Sequence, residues 1–269
     1  MTFRVMTFNI RNGLADDGSN SWEHRRHLTA QVIRDSNADI IGLQEVFEFQ
    51  LEYLKGELPE YAFYSVGRED GDNHGEQCSI LWRADIFHPF DLKTFWLSDT
   101  PNIPNSKTWG NRITRICSWL GIDEGFYFYN THWDHESAEA RIKSAEMIAG
   151  RGLSSVPWIV VGDFNAEPNS PDLAPLIELE GCEFVSRDNS IGSFHDFRGG
   201  EGGPSIDHMF VGGGIKAKLV EVVQTSESGI YPSDHYPVIF EVDFSSVRPF
   251  ESTDSIVSYT YFETRHSKE

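Results

Sequence analysis

Apolar, β-branched runs alternate with polar turns along this chain, and most of the runs end on amide, carboxylate or imidazole side chains. Residues 3–10 alternate in strand fashion, and the Gly-, Asp- and Asn-rich residues 12–20 form a loop. The stretch Ser21-Trp22-Glu23-His24-Arg25-Arg26 opens a helix with Leu28, Val32 and Ile33 on one face. Residues 39–44 read as a short buried strand, and 47–58 as an amphipathic helix with Phe47, Leu51 and Leu54 at helical spacing. Strand-like segments follow at 79–82, 86–96, 113–120 and 126–131, with a hairpin turn at 121–125. Residues 137–151 suit a helix that turns Ala138, Ile142, Ala145 and Ile148 or Ala149 inward. The run 158–161 is continuously apolar, the mark of a strand buried on both faces, and further strands are expected at 206–211 and 238–242.

No internal repeat stands out and no linker divides the chain. Its 269 residues can bury a large core in one domain or two. The polar signatures near the two ends need each other, so one domain over residues 1–244 is expected. Residues 245–269 then form a polar C-terminal extension carrying Tyr259, Tyr261 and Phe262.

The formal charge of −20 changes the picture of possible partners. A protein that grips nucleic acid through its phosphates usually carries a basic stripe, and here the average field repels polyanions. An acidic, well-solvated surface is the simple account, although local arginines or a bound metal still attract phosphate. The cysteines, Cys78, Cys117 and Cys182, are odd in number and lack metal spacing, so free thiols in a reducing compartment are expected. The sequence begins directly with strand-like Phe3-Arg4-Val5-Met6-Thr7-Phe8. It shows no basic-then-apolar leader and no apolar run long enough for a bilayer, so a cytoplasmic location is expected.

The polar strand ends are Thr-Phe-Asn at 7–9, Leu-Gln-Glu at 43–45, Thr-His-Trp at 131–133, Gly-Asp-Phe-Asn at 162–165, Ile-Asp-His at 206–208 and Ser-Asp-His at 233–235. Together they offer hard oxygen ligands and acid–base groups, the set required for Mg²⁺-assisted attack on phosphorus. Asp163 and Asn165, two apart on an extended segment, can share one side. In this order, and ending in Ser-Asp-His-Tyr-Pro-Val, the signatures resemble the endonuclease/exonuclease/phosphatase superfamily over residues 6–237. That superfamily includes exonuclease III-type nucleases, deadenylases, neutral sphingomyelinases and inositol-polyphosphate phosphatases.

The resemblance implies an α+β fold, a four-layer α/β sandwich of two packed mixed sheets flanked by helices, as in DNase I-like proteins. It implies Mg²⁺ or Mn²⁺ at Glu45, with Asn9 and Asp234 as further ligands. It makes Asp163 the base that deprotonates water and Asn165 the group that holds the phosphoryl oxygen and orients that water. His235, steered by Asp207, meets the scissile phosphate, and His132 donates to it. His132 matches the deadenylase-like pattern, where exonuclease III-type nucleases carry Tyr. Arg11 departs from the abasic-site nucleases, which carry an acidic residue there, and an Arg can clamp a terminal phosphate.

The segment Phe95-Trp96-Leu97-Ser98-Asp99-Thr100-Pro101 with Trp109-Gly110-Asn111-Arg112 resembles a loop of a bacterial and archaeal branch of poorly defined substrate. Its Trp96 or Trp109 offers a stacking face for a base or sugar, or else a hydrophobic lid over the core, and Arg112 or Arg115 offers charge to phosphate. His195, in Phe194-His195-Asp196-Phe197, is a candidate for the rim. A phosphoester hydrolase of a small phosphomonoester or phosphodiester is therefore expected, with a DNA or RNA nuclease as the alternative. A non-catalytic binding module is disfavoured, because Asn9, Glu45, Asp163, Asn165, Asp207 and His235 are all present. No oligomeric state follows from the sequence.

Overall fold

In the computed structural model the chain folds into two facing β-sheets, each covered on its outer side by helices; residues 1–151, 153, 156–186, 191–245 and 247 are described. The first sheet has strand order β11-β12-β1-β2-β4-β3 and the second β5-β6-β7-β8-β10-β9. Their strands are β1 (Thr2–Asn9), β2 (Ile40–Val46), β3 (Tyr61–Tyr64), β4 (Gln77–Arg83), β5 (Pro89–Trp96), β6 (Ile116–Ile122), β7 (Phe126–His132), β8 (Trp158–Asp163), β9 (Glu183–Phe184), β10 (Asp207–Gly212), β11 (Lys216–Val222) and β12 (Val238–Asp243). The helices are α1 (Trp22–Ser36), α2 (Glu48–Glu57), α3 (Ala138–Ala149) and α4 (Ala174–Ile177). None of the helices among the described residues is long and apolar enough to cross a membrane.

The apolar pattern explains the layering. Along β1, Phe3 and Val5 face the second sheet and join Ile40, Phe128, Val161 and Phe240 in the core between the sheets. Met6 and Phe8 point the other way and pack with Trp22, Ile33, Leu51 and Leu54 of α1 and α2. The second sheet repeats the arrangement, with Tyr129, Trp158, Val160 and Phe210 packed against α3 and α4 through Ala145, Ile148 and Leu176. Central strands are thus apolar on both faces, as their near-continuous hydrophobic runs require.

Each sheet contains one parallel pair joined through a helix, β1-α1-β2 and β7-α3-β8, while the other pairings are antiparallel. Both parallel pairs end on the same rim, where the polar signatures gather. Under that rim a buried network ties the sheets together. Asn130 on β7 donates to the carbonyls of Leu43 and Ser79 at 2.8 Å each. Gln44 donates to Asn130 Oδ1 at 2.7 Å and to Thr7 Oγ1 at 3.1 Å. Gly42 makes room for it, since a Cβ there would lie 2.7 Å from Asn130 Oδ1.

Some elements differ from the sequence expectation. The strand expected from 86 starts only at Pro89, because Ile86 and Phe87 both donate back to the Arg83 carbonyl in a turn. The strand expected from 113 starts at Ile116 and runs on to Ile122, which shortens the hairpin turn. β8 extends to Asp163, so this carboxylate is a strand residue. Helix α3 begins one residue after Ser137, whose Oγ accepts from Ala140 N–H at 3.1 Å, a cap of about 1 kcal/mol. The expected C-terminal extension lies outside the described residues apart from positions 245 and 247.

Candidate active site

Strand register assembles the site. Asn9 ends β1 opposite Gln44, so Glu45 follows one residue beyond. His132 ends β7 opposite Asp163, and Asp207 opens β10 opposite the same Asp163. Three neighbouring strand ends therefore present His132, Asp163 and Asp207 side by side. Gly162 allows the close approach, because a Cβ there would fall 2.1 Å from the Thr131 carbonyl. The 233–235 segment closes over the rim: Ser233 Oγ donates to Asn9 O at 2.6 Å, and Phe194 pairs with His235 and sets its ring edge-on at 5.0 Å.

Backbone conformation is unusual at three positions around this rim. Arg11, Glu45 and Asn165 have φ of +61°, +62° and +48°. Asn tolerates this left-handed region, whereas Arg and Glu have little intrinsic reason to adopt it. For Glu45 the cause is a break in register between Leu43 and Val46, a bulge that lifts its side chain out of the ladder and toward the rim.

Asp163 is the hub. Its Oδ2 receives Asn9 Nδ2 at 3.0 Å and lies 3.4 Å from His132 Nε2 and 3.7 Å from His235 Nε2. Its Oδ1 receives the Asn165 N–H at 3.0 Å. Asn9 Nδ2 also reaches Glu45 Oε1 at 3.0 Å, so one amide bridges two carboxylates, and its oxygen accepts from Arg11 N–H at 2.9 Å. His235 Nδ1 and Asp207 Oδ2 are 2.8 Å apart. Asn165 Nδ2 donates to the Trp133 carbonyl at 3.0 Å, and an open cleft runs from Asn165 past Pro168 and Ser170 to Phe194, Pro204 and Ile206.

Burial sets the protonation pattern. It pushes the Asp163 carboxyl up to about 7, and the charge of Asp207 adds to the push against His235 and the Asn9 hydrogen bond. Burial opposes charge on His235 as well, but Asp207, bonded to its ring, overrides this and lifts it to about 10. His132 is held neutral, first by burial and then by the fields of Arg115 and Arg68. Burial, and then the charge of Glu45, raises the Asp234 carboxyl against the pull of His235 and Arg11. The rim is thus a proton acceptor, Asp163, between one neutral and one cationic imidazole, with two further carboxylates beside it.

Asp163, Asp207 and His235 bring ligand atoms within 4.8 Å of one another. His235 Nδ1 and Asp207 Oδ2 already bond to each other at 2.8 Å, which leaves this trio fewer free donors for a metal. Glu45 and Asp234 suit a divalent cation better. They are oxygen donors that repel each other in a poorly solvated place, the condition a hard cation relieves.

Other expected residues fall differently. Arg11 spends its fork on Asp17, at 3.0 and 2.9 Å, and reaches only to 3.5 Å from Asp234. Trp109 is no stacking platform: it is buried among Phe95, Leu97 and Trp133 and donates to Asp99 Oδ1 at 2.8 Å. Arg112 is exposed and pairs with Glu136. His195 is buried, stacked on Tyr236 at 3.9 Å, and donates through its backbone N–H to the Asp234 carbonyl at 2.8 Å. It supports the 233–236 segment and does not line the rim.

The sequence reading missed Arg25, Arg68, Glu76 and Asp134. Arg25 is buried in α1 and donates to the carbonyls of Ile10, Arg11, Asn20 and Pro232, fixing the loops on both sides of the rim. Asp134 Oδ1 accepts from Glu136 and Ser137 N–H at 3.0 and 2.7 Å and shapes the turn into α3. A carboxylate directly after Thr-His-Trp was its only signal. Arg68 and Glu76 pair at 2.5 Å in the loop before β4, where nothing in the spacing marked them.

Comparisons with known proteins agree with this geometry. The profile of the Endonuclease/Exonuclease/phosphatase family matches residues 6–235. The structure of an endonuclease/exonuclease/phosphatase family protein from Bacteroides thetaiotaomicron superposes with a TM-score of 0.83 at 31% identity, covering 93% of this chain and 99% of that one. A mannosyl-6-phosphatase from the same organism superposes with a TM-score of 0.80 at 30% identity, covering 90% and 100%. Nocturnin from Drosophila melanogaster is 25% identical over 184 residues, which are 61% of this chain and 27% of that protein. With the strand ends, the register and the profile in agreement, the chain belongs to the Endonuclease/Exonuclease/phosphatase family.

Proposed function

We propose that this phosphoester hydrolase is a divalent-metal-dependent enzyme acting on a small phosphorylated molecule, with phosphomonoesters as the first class to try. The observation that carries the reading is Asp163, a carboxylate of raised proton affinity set between His132 and His235 beside Glu45 and Asp234. Asp163 takes the proton from the attacking water. Asn165, fixed against the Trp133 carbonyl, orients that water at the mouth of the cleft. His235 remains an imidazolium through neutral pH and stabilises charge that grows on the phosphoryl oxygens, while Asp207 holds its ring. His132, neutral, donates a hydrogen bond to the same group. Glu45 and Asp234, with Asn9 alongside, would hold Mg²⁺ or Mn²⁺, which when bound offsets charge on the phosphate and the leaving oxygen.

The size of the substrate rests on the charge of −20, which works against polymeric polyanions, and on the likeness to a mannosyl-6-phosphatase. The test is hydrolysis by purified protein with Mg²⁺ and Mn²⁺ in turn. Sugar and inositol phosphates and chromogenic esters would be run beside labelled single- and double-stranded DNA and RNA. Turnover of small esters with polymers left intact supports the reading. Polymer cleavage at rates above those of every small ester overturns it in favour of a nuclease.

A further inference from the structure

Next to Glu45 and His132 lies a small pocket whose wall includes Arg68, Glu76, Thr114 and Arg115. Arg115 stands at the entry to β6, and its side chain is only 6% exposed. Its Nε is buried without any hydrogen-bond partner. Its Nη2 lies 3.0 Å from His135 Nδ1, and its nearest carboxylate oxygen, on Asp134, is 3.9 Å away. A guanidinium carries five donors in a fixed fork, and burying them unpaired is costly unless something fills the gap.

The other inward-facing arginines do not share this condition. Arg25 gives its donors to backbone carbonyls. Arg141 meets Asp172 at 2.5 Å, Arg68 meets Glu76 at 2.5 Å, and Arg11 forks onto Asp17. Among the arginines of this set Arg115 alone has a buried side-chain nitrogen without a hydrogen-bond partner, and it lies in a pocket beside the groups assigned to the phosphoryl centre. The positive fields of Arg115 and Arg68 reach His132, which itself lies 3.4 Å from Asp163.

We propose that Arg115, beside the Arg68–Glu76 pair, is the receptor for a non-bridging oxygen of a phosphomonoester dianion, and that this pocket makes the enzyme prefer monoesters over diesters. The inference rests on the phosphoester hydrolase reading of the neighbouring centre and names its substrate class. A monoester dianion brings a further unesterified oxygen, to which the unpartnered Nε–H of Arg115 can donate a charge-assisted hydrogen bond. A diester would have to place a carbon substituent there, leaving the guanidinium unpaired and the pocket without space for the group. Arg11, the phosphate clamp expected from sequence, is replaced in this role because its fork is already spent.

The experiment compares wild type with Arg115→Gln and Arg115→Lys. Two quantities are read: kcat/KM on a chromogenic monoester and on the matching diester, and the affinity for inorganic phosphate followed by thermal shift. Loss of one such preorganised donor group lowers monoester kcat/KM by about 100-fold. The proposal expects that loss in Arg115→Gln with diester turnover changed less than about threefold, and phosphate affinity weakened at least tenfold. Arg115→Lys, which keeps the charge and the packing of the stem, should fall between the two.

Equal losses on monoester and diester, or unchanged phosphate affinity in a folded Arg115→Lys, would overturn the proposal. If wild type turned over neither ester, the hydrolase assignment would fail separately. The phosphate titration would still decide the pocket, since it needs no turnover.

Discussion

Two buried polar clusters lie one residue apart in this fold and behave oppositely. Below the rim, Gln44, Asn130, Thr7 and the carbonyls of Leu43 and Ser79 are neutral and joined by hydrogen bonds across the two sheets. At the rim, Glu45, Asp163, Asp207 and Asp234 crowd like charges together, with raised proton affinity at Asp163 and Asp234. Gln44 follows the β-ladder, whereas Glu45 leaves it through a bulge with φ of +62°. The lower cluster is spent on holding the sheets in register. The upper one retains unrelieved repulsion and open acceptors, which is what a cation and a substrate can relieve.

The contrast predicts which cluster fails in which way. The largest effect is expected from Glu45→Gln, which should lower Mg²⁺-dependent turnover by about 1000-fold or more if the proposed anionic metal donor is lost. The same variant should lose the thermal stabilisation that Mg²⁺ or Mn²⁺ gives wild type, as a metal titration followed by melting would record. Chelation of wild type should reproduce both losses reversibly.

Asn130→Ala should act the other way. It removes the 2.7 Å acceptor of Gln44 Nε2 and the amide donor to the buried carbonyls of Leu43 and Ser79, so denaturant unfolding should show a loss of about 2–4 kcal/mol. Its turnover per folded molecule should change far less than in Glu45→Gln. A stable Asn130→Ala would remove the architectural half of the comparison.

Asp207→Asn keeps the hydrogen-bonding shape but removes the charge that lifts His235. Turnover should fall by about 10- to 100-fold, and the alkaline limb of the pH profile should move to lower pH. In wild type that limb should fall near pH 10, where His235 would lose its proton, and the acid limb near 7, where Asp163 would gain one. A bound cation shifts the acid limb downward, because it favours the carboxylate.

Stability should respond with definite sign, since both folded-state values are raised. The contribution of Asp163 is full below the ordinary carboxylate range and is lost as pH rises through about 7. That of His235 is full below about 6.5 and is lost through about 10. Urea midpoints of the metal-free protein between pH 5 and 10 would reveal both as a falling trend.

The centre of the fold and the site was legible in sequence because strand ends carry both structure and chemistry. Asn9, His132, Asp163 and Asp207 finish or open apolar runs, so locating the run locates the side chain. The strand–helix–strand order of the two β-α-β units followed from the same alternation, whereas their parallel pairing came from the structure. Edge elements were less visible: β11 alternates half-buried and exposed residues, and β9 spans only Glu183–Phe184. Long loops were the least visible. Trp109 and Arg112 stood out by residue type, yet one packs inward on Asp99 and the other pairs with Glu136. Arg112 and Arg115 were equal candidates for phosphate by residue type, and only the path of the loop before β6 turns Arg115 inward while Arg112 stays exposed.

Asp163→Asn is the decisive variant for the hydrolytic centre. The substitution preserves size, can still accept the Asn9 hydrogen bond, and removes both the base and one of the mutually repelling charges. Turnover of a phosphomonoester and thermal stability at pH 8 should be measured on the same preparations. The account predicts that turnover falls by about 1000-fold or more while the metal-free protein melts at or above the wild-type temperature. Turnover within about tenfold of wild type, in a folded variant that still binds Mg²⁺, would contradict Asp163 as the base and with it the hydrolytic centre described at this rim.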